Sequence, residues 1–140
     1  MRKPCLYLVF WCLLSLCWSC QGDDSGTQLY NAEEFEEFYD RFLSDQNYQM
    51  ERIQFPLRGK SSLPGEQREG FRWERADWVV HQPLDTEGTG FASEFVPLGD
   101  GLMVEKILNS NATYGMERRF ARLGDGEWYL IYYAALSPVG

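Results

Sequence analysis

Two stretches decide the fold of this 140-residue chain: FASEFVPLGDGLMVEKIL (residues 91–108) and YGMERRFARLGDGEWYLIYYAA (residues 114–135). Each contains the string Leu-Gly-Asp-Gly, at residues 98–101 and 123–126. Asp-Gly between apolar runs is a strong hairpin signal, because both central residues of a type I′ turn take positive φ. The spacing predicts strands over Phe91–Leu98 and Leu102–Leu108, then Tyr114–Leu123 and Trp128–Ala135, with Asn109–Thr113 as the connection. The last strand, rich in Trp, Tyr, Leu and Ile, has large residues on both faces. It suits a central strand covered by a helix on one side and by a cavity or partner on the other.

Upstream the period changes from two to 3.6. Phe35, Phe38, Tyr39, Phe42 and Leu43 form one helical stripe, opposite Glu33, Glu34, Glu36 and Glu37. Asn31 is placed as N-cap, Glu34 as its capping-box partner, and Tyr30 with Phe35 as a hydrophobic staple. An aromatic stripe of this kind reads as core before it reads as a ligand cradle. The acidic face reads as solvated rather than metal-binding. A short second helix through about Arg52 has Ser44 or Asp45 as N-cap. Ile53 and Phe55 alternate as a strand that Pro56 limits. Residues 58–70 read as an exposed loop, Phe71 and Trp73 as extended, Trp78–Val80 as strand or helical turn, and 83–90 as a second loop. Helices followed by a strand and a four-strand meander make an α+β plan, with helices packed on a curved antiparallel sheet.

The N-terminus is a different kind of sequence. Arg2 and Lys3 precede an apolar run from Cys5 to Trp18, too short to span a bilayer and typical of an export signal. A buried N-terminal helix is the alternative. All four cysteines (Cys5, Cys12, Cys17, Cys20) lie in this region, so a disulfide framework or Cys-based zinc site in the following domain is excluded. Ser19-Cys20 resembles the end of a bacterial lipobox, with Cys17 the rival lipidation site. The expected organisation is a lipoprotein signal peptide over 1–19, an acidic flexible tether over 20–28 and one domain over 29–140. Gln21-Gly22-Asp23-Asp24 resembles the acidic tetrads that export lipoproteins to the cell surface, though a plain tether has the same composition. The expected location is the cell envelope, as an outer-membrane lipoprotein, with surface display an open alternative.

The formal charge is −8, with 13 basic residues against 21 acidic ones. That balance argues against a nucleic-acid surface and against binding to bare anionic headgroups. No cofactor or metal is expected: His81 is the sole histidine, and Gly-Asp-Gly here makes turns rather than a phosphate loop.

Phe35, Phe38 and Phe42, then Asp45, Tyr48-Gln49, Arg52-Ile53, Phe55-Pro56-Leu57, Trp78 and the closing aromatic strand together resemble a family of small Gram-negative lipoproteins. That family carries a domain of uncharacterised function with a nuclear transport factor 2-like fold. The resemblance implies a cone: a bent sheet around helices, with a pocket at the wide end. The wider superfamily holds isomerases, dehydratases and non-catalytic binding or dimerisation modules, so fold leaves function open.

Weak catalytic candidates are Asp77 beside Trp78, as a carboxylate base beside an indole, His81 and Tyr132. Each has a plainer reading as a turn former, a surface group or a packing residue. Trp78, Arg118, Phe120 and Tyr132 are the candidate pocket. Arg118, Phe120 and Arg122 share one strand face and Arg119 lies on the other. Such a face could take an anionic ligand, or pair across strands with Glu. The sequence leads to expect a lipid-anchored, non-catalytic module binding a small ligand or protein. A proton-transfer enzyme with a pocket carboxylate and a structural homodimer are the alternatives.

Overall fold

The computed structural model describes residues 31–99 and 101–140. The expected signal segment with Cys17 and Cys20, the expected tether, Tyr30 of the expected staple and Asp100 lie outside the described residues. Helices α1 (Ala32–Ser44) and α2 (Gln46–Glu51) come first. The strands are β1 (Ile53–Lys60), β2 (Arg72–Trp73), β3 (Phe91–Pro97), β4 (Leu102–Asn109), β5 (Tyr114–Arg122) and β6 (Trp128–Pro138), with a single-turn helix α3 (Thr86–Thr89) before β3. They form one mixed sheet in the order β2-β1-β6-β5-β4-β3. The architecture is α+β, as expected. Among the described residues, no helix is long and apolar enough to cross a membrane.

The stripe on α1 is core: Phe35, Phe38, Phe42 and Leu43 are buried. They pack with Ile53, Leu57, Met103, Phe120, Trp128 and Leu130 from the inner sheet face. Each buried Phe contributes roughly 1.5–3 kcal/mol of transfer free energy, so this face holds the helix to the sheet. The N-terminal capping differs from expectation. Asn31 occupies the N-cap, but its side chain makes no capping hydrogen bond. Glu34 instead reaches Arg122 on β5 at 2.5 Å, a guanidinium being a stronger partner than an amide. Asp45 caps α2 by accepting from the Tyr48 N–H at 3.0 Å.

Three further details correct the sequence reading. First, β1 does not stop at Pro56. It pairs in parallel with β6, and between Ile53↔Leu130 and Arg58↔Tyr132 it spends more residues than its partner. The strand therefore bows away from β6 around Pro56, where a missing N–H costs no ladder bond. Second, the turn at 124–126 is not type I′. Gly126 takes φ 82° while Asp125 stays in the ordinary region, and the Gly126 N–H donates to the Leu123 carbonyl at 2.9 Å. This is the pattern of a type I turn closed by a glycine bulge. Third, the Trp78–Val80 segment is neither strand nor helix. It is an extended run after a 3-10 turn at Arg75–Asp77.

One irregularity in β6 positions everything inside the cone. Phe120 pairs with Leu130, but the next residue of β5, Arg119, pairs with Tyr132. Ile131 is therefore an extra residue in the strand. Side chains alternate between faces along a strand, and one extra residue reverses the phase. Leu130 faces inward, Ile131 and Tyr132 face outward, and Tyr133 returns to the interior opposite Arg118. Gly59 on β1 leaves the room this requires. A Cβ there would stand 1.9 Å from the Tyr133 carbonyl oxygen, which accepts instead from Trp73 Nε1 at 3.0 Å.

Candidate functional site

Beyond the aromatic core, the inner sheet face becomes polar. Glu105 on β4 and Arg118 on β5 are direct cross-strand partners. Both point under the helices, with side chains 0% and 3% exposed. Arg118 Nε stands 2.7 Å from Glu105 Oε2, an ionic contact off the N–H axis. Nη2 gives the aligned hydrogen bond to Oε1 at 3.1 Å. Glu105 Oε1 also accepts from the Tyr39 hydroxyl of α1 at 2.6 Å and from the Ser93 hydroxyl of β3 at 2.8 Å. Arg118 Nη2 further donates to the Tyr39 oxygen at 3.2 Å, and Nη1 meets His81 Nδ1 at 3.4 Å. One ion pair thus ties a helix, three strands and the 78–85 segment together.

The electrostatics follow from that packing. A guanidinium can only donate, so His81 Nδ1 must accept, and the neutral ring carries its hydrogen on Nε2. Burial, and then the nearby Arg118 charge, push the His81 pKa down to about 3. Burial pushes the Tyr39 hydroxyl well above its ordinary range, with Glu105 adding to the rise and Arg118 opposing it. Tyr133 is also raised by burial, again opposed by Arg118.

Gln49 on α2 anchors His81 from the other side. Its Nε2 donates to the carbonyls of Phe42 at 2.7 Å and His81 at 2.9 Å. Its Oε1 accepts from the His81 N–H at 2.7 Å and Trp78 Nε1 at 3.3 Å. Both donors and both acceptor positions of the amide are used. The His81 ring lies 4.6 Å from each of the Trp78 and Tyr133 rings, centroid to centroid.

Beside this cluster lies a cavity of about 290 Å³, bounded by residues 80–85, Ile107, Met116, Arg118 and Tyr133. Its lining mixes apolar side chains with Gln82, Asp85, His81 and Arg118. The second Nη1 hydrogen of Arg118 and the Nε2–H of His81 are not used by the contacts above, so the cavity offers donors to a small molecule that brings a hydrogen-bond acceptor.

The residues singled out from sequence are scattered. Arg118 and His81 meet at the cavity. Trp78 stacks behind His81. Phe120 is fully buried beneath α1, 5.6 Å from the Phe35 and Phe42 rings, and is core rather than pocket lining. Tyr132 lies on the outer face under the Arg119 guanidinium, 4.4 Å from its ring centroid, because the bulge at Ile131 turns it out. Asp77 is exposed in the 3-10 turn. Asp77, His81 and Tyr132 do not converge. Glu105, Tyr39, Gln49, Ser93 and Tyr133 belong to the cluster and were not singled out. Their signal was register: Met103, Glu105 and Ile107 alternate on one face of β4, so Glu105 had to face inward with its neighbours.

Removing one partner of a buried pair strands the other charge, at a cost of about 3–5 kcal/mol. Glu105→Gln is expected to lower unfolding free energy by that amount in urea titrations. The Glu105→Leu/Arg118→Leu double variant should lose less than the sum of the two single variants. A loss for Glu105→Gln below about 1 kcal/mol, the surface-pair range, would show that the pair is not buried in solution.

No family model matches the chain, and no curated protein does. Solved structures do match. A cystatin-like protein from Bacteroides caccae aligns at a TM-score of 0.54 and 22% identity, covering 72% of this chain and 74% of that one. A Bacteroides uniformis protein aligns at a TM-score of 0.53 and 22% identity, covering 74% and 76%. A nuclear transport factor 2-like protein from Bacteroides fragilis aligns at a TM-score of 0.50 and 15% identity, over 76% of this chain and 47% of the longer one. At these identities the likeness is one of fold: the domain has the cystatin-like, nuclear transport factor 2-like cone.

Proposed function

We propose that this protein is a non-catalytic binding module of the cell envelope, anchored by lipid on Cys20, that takes a small acceptor-bearing ligand in the cavity beside His81. One observation carries the reading. The polar groups that might do proton chemistry are occupied by one another. The Glu105 carboxylate is held by Tyr39, Ser93 and Arg118. The Gln49 amide is saturated, and His81 is kept neutral against a cation. A proton-transfer enzyme needs a carboxylate or imidazole poised between protonation states and facing substrate. Neither condition suits this cluster, and Asp77 is exposed in the 3-10 turn. Arg118 and His81 leave donors at the cavity, which serve recognition; Asp85, also in its lining, gives one carboxylate oxygen to the Gly88 N–H. The anchor rests on the basic, apolar and Ser19-Cys20 sequence of the leader.

The test is a thermal-shift screen with small carboxylic acids and amides at millimolar concentration. A ligand that binds only the folded state raises the melting temperature by mass action. At least one such compound is expected to do so, and Met116→Trp, which fills the cavity, is expected to abolish the shift. No shift across the screen would count against the reading. So would turnover of a compound that His81→Gln abolishes. For the anchor, palmitate labelling is expected to disappear in Cys20→Ser. Labelling retained at Cys17 would move the site by three residues.

A further inference from the structure

The outer face of the sheet can be read in rows across the strands. Lys106 on β4 stands between Glu117 on β5 and Glu94 on β3, its direct partners. Arg119 binds Glu117 at 2.5 Å and covers Tyr132. Off this face, Arg122 is answered by Glu34 on α1, and Arg52 by Glu127 at 3.2 Å. In an acidic chain this pairing is what the composition leads one to expect.

At one place two cations stand opposite each other instead. Arg58 on β1 and Arg72 on β2 are direct cross-strand partners, and both are exposed. Among the described residues, neither forms an ion pair. Like charges directly opposite each other on a sheet are destabilising, the Cβ atoms being about 5 Å apart. Among the described residues, no carboxylate forms an ion pair with either of them. Moreover, the two arginines border a groove of about 340 Å³ whose other walls are Phe55, Pro56, Leu123 and Ile131, with Gln54 at its side. Ile131 is the extra residue of β6, so the bulge that turns Tyr133 inward also presents this apolar side chain to the groove. A cationic end and an apolar floor lie side by side.

We propose that this groove is a second binding site, taking an amphipathic anion: an oxyanion head held between the Arg58 and Arg72 guanidiniums, with a short apolar chain laid over Pro56, Leu123 and Ile131. Two guanidiniums present planar forks that match the oxygens of one phosphate or carboxylate head. An anion between them turns a repulsive pair into an attractive triad. The apolar floor selects amphiphiles over bare anions, because each buried methylene adds to affinity. The site lies on the sheet face opposite the His81 cavity, so the two stand or fall separately.

The test is calorimetric titration of the full chain, held in nanodiscs of zwitterionic lipid, with hexyl phosphate and with inorganic phosphate. Hexyl phosphate is expected to bind at least tenfold more tightly. Arg58→Gln and Arg72→Gln should each weaken it about tenfold or more, and Ile131→Ser should weaken hexyl phosphate but leave inorganic phosphate unchanged. Without ligand, Arg72→Gln should hold or raise the melting temperature, since it removes repulsion. Equal affinity for the two phosphates would overturn the amphiphile assignment. Binding indifferent to both arginines would overturn the site. A melting temperature lowered by Arg72→Gln would make that arginine structural and overturn its role as a ligand-binding residue.

Discussion

The interior of this domain is organised around the ion pair between Glu105 and Arg118. Taking two charges out of water is expensive, and their mutual attraction offsets that only when the remaining lone pairs and protons are satisfied. Here Tyr39 from the helix and Ser93 from the edge strand donate to Glu105 Oε1, His81 from the loop accepts from Arg118, and Glu105 Oε2 and Arg118 Nε hold each other by charge alone. The pair is therefore a constraint as much as a contact. A helix displaced along the sheet would take Tyr39 from Glu105, and a slipped β4–β5 register would bury one charge without the other.

The second organising feature is the extra residue at Ile131. It reverses the phase of the central strand at the point where the aromatic core gives way to the polar cluster. Below it, Trp128 and Leu130 pack against α1. Above it, Tyr133 meets His81 edge-on and Trp73 at a tilt. Outside it, Ile131 and Tyr132 lie side by side on the solvent face, the first in the Arg58–Arg72 groove and the second under Arg119. A regular strand would have placed Tyr132 inside, beside Arg118, and left the cluster without the ring that closes it.

Much of the fold was legible in the sequence because its signals are local. The aromatic stripe on α1 and the two Asp-Gly turns fix one helix and two hairpins without reference to anything distant. The parallel pairing of β1 with β6 was not legible, since its partners lie more than 70 residues apart and Pro56 interrupts the local pattern. The candidate site was legible only in part. His81 stood out as the sole histidine and Arg118 as a cation sharing a strand face with Phe120 and Arg122. Glu105 did not, because one more glutamate in an acidic chain reads as solvated. Tyr133, not Tyr132, closes the cluster, and the bulge at Ile131 that decides this leaves no mark in the residues that form it.

The polar interior is committed to holding the fold, with His81 neutral and accepting from Arg118 through Nδ1. The most direct measurement is a pH titration of the His81 ring by nitrogen NMR on labelled protein. The account predicts a neutral ring with its proton on Nε2, unchanged from neutral pH down to about pH 5, well above its depressed pKa of about 3. Above the unfolded value of about 6.5 the neutral ring costs nothing. As pH falls below that value, stability is lost progressively towards the folded pKa, because only the unfolded chain takes the proton. A ring that titrates near 6.5 in the folded protein, or one protonated on Nδ1, would contradict the arrangement on which the rest of the account depends.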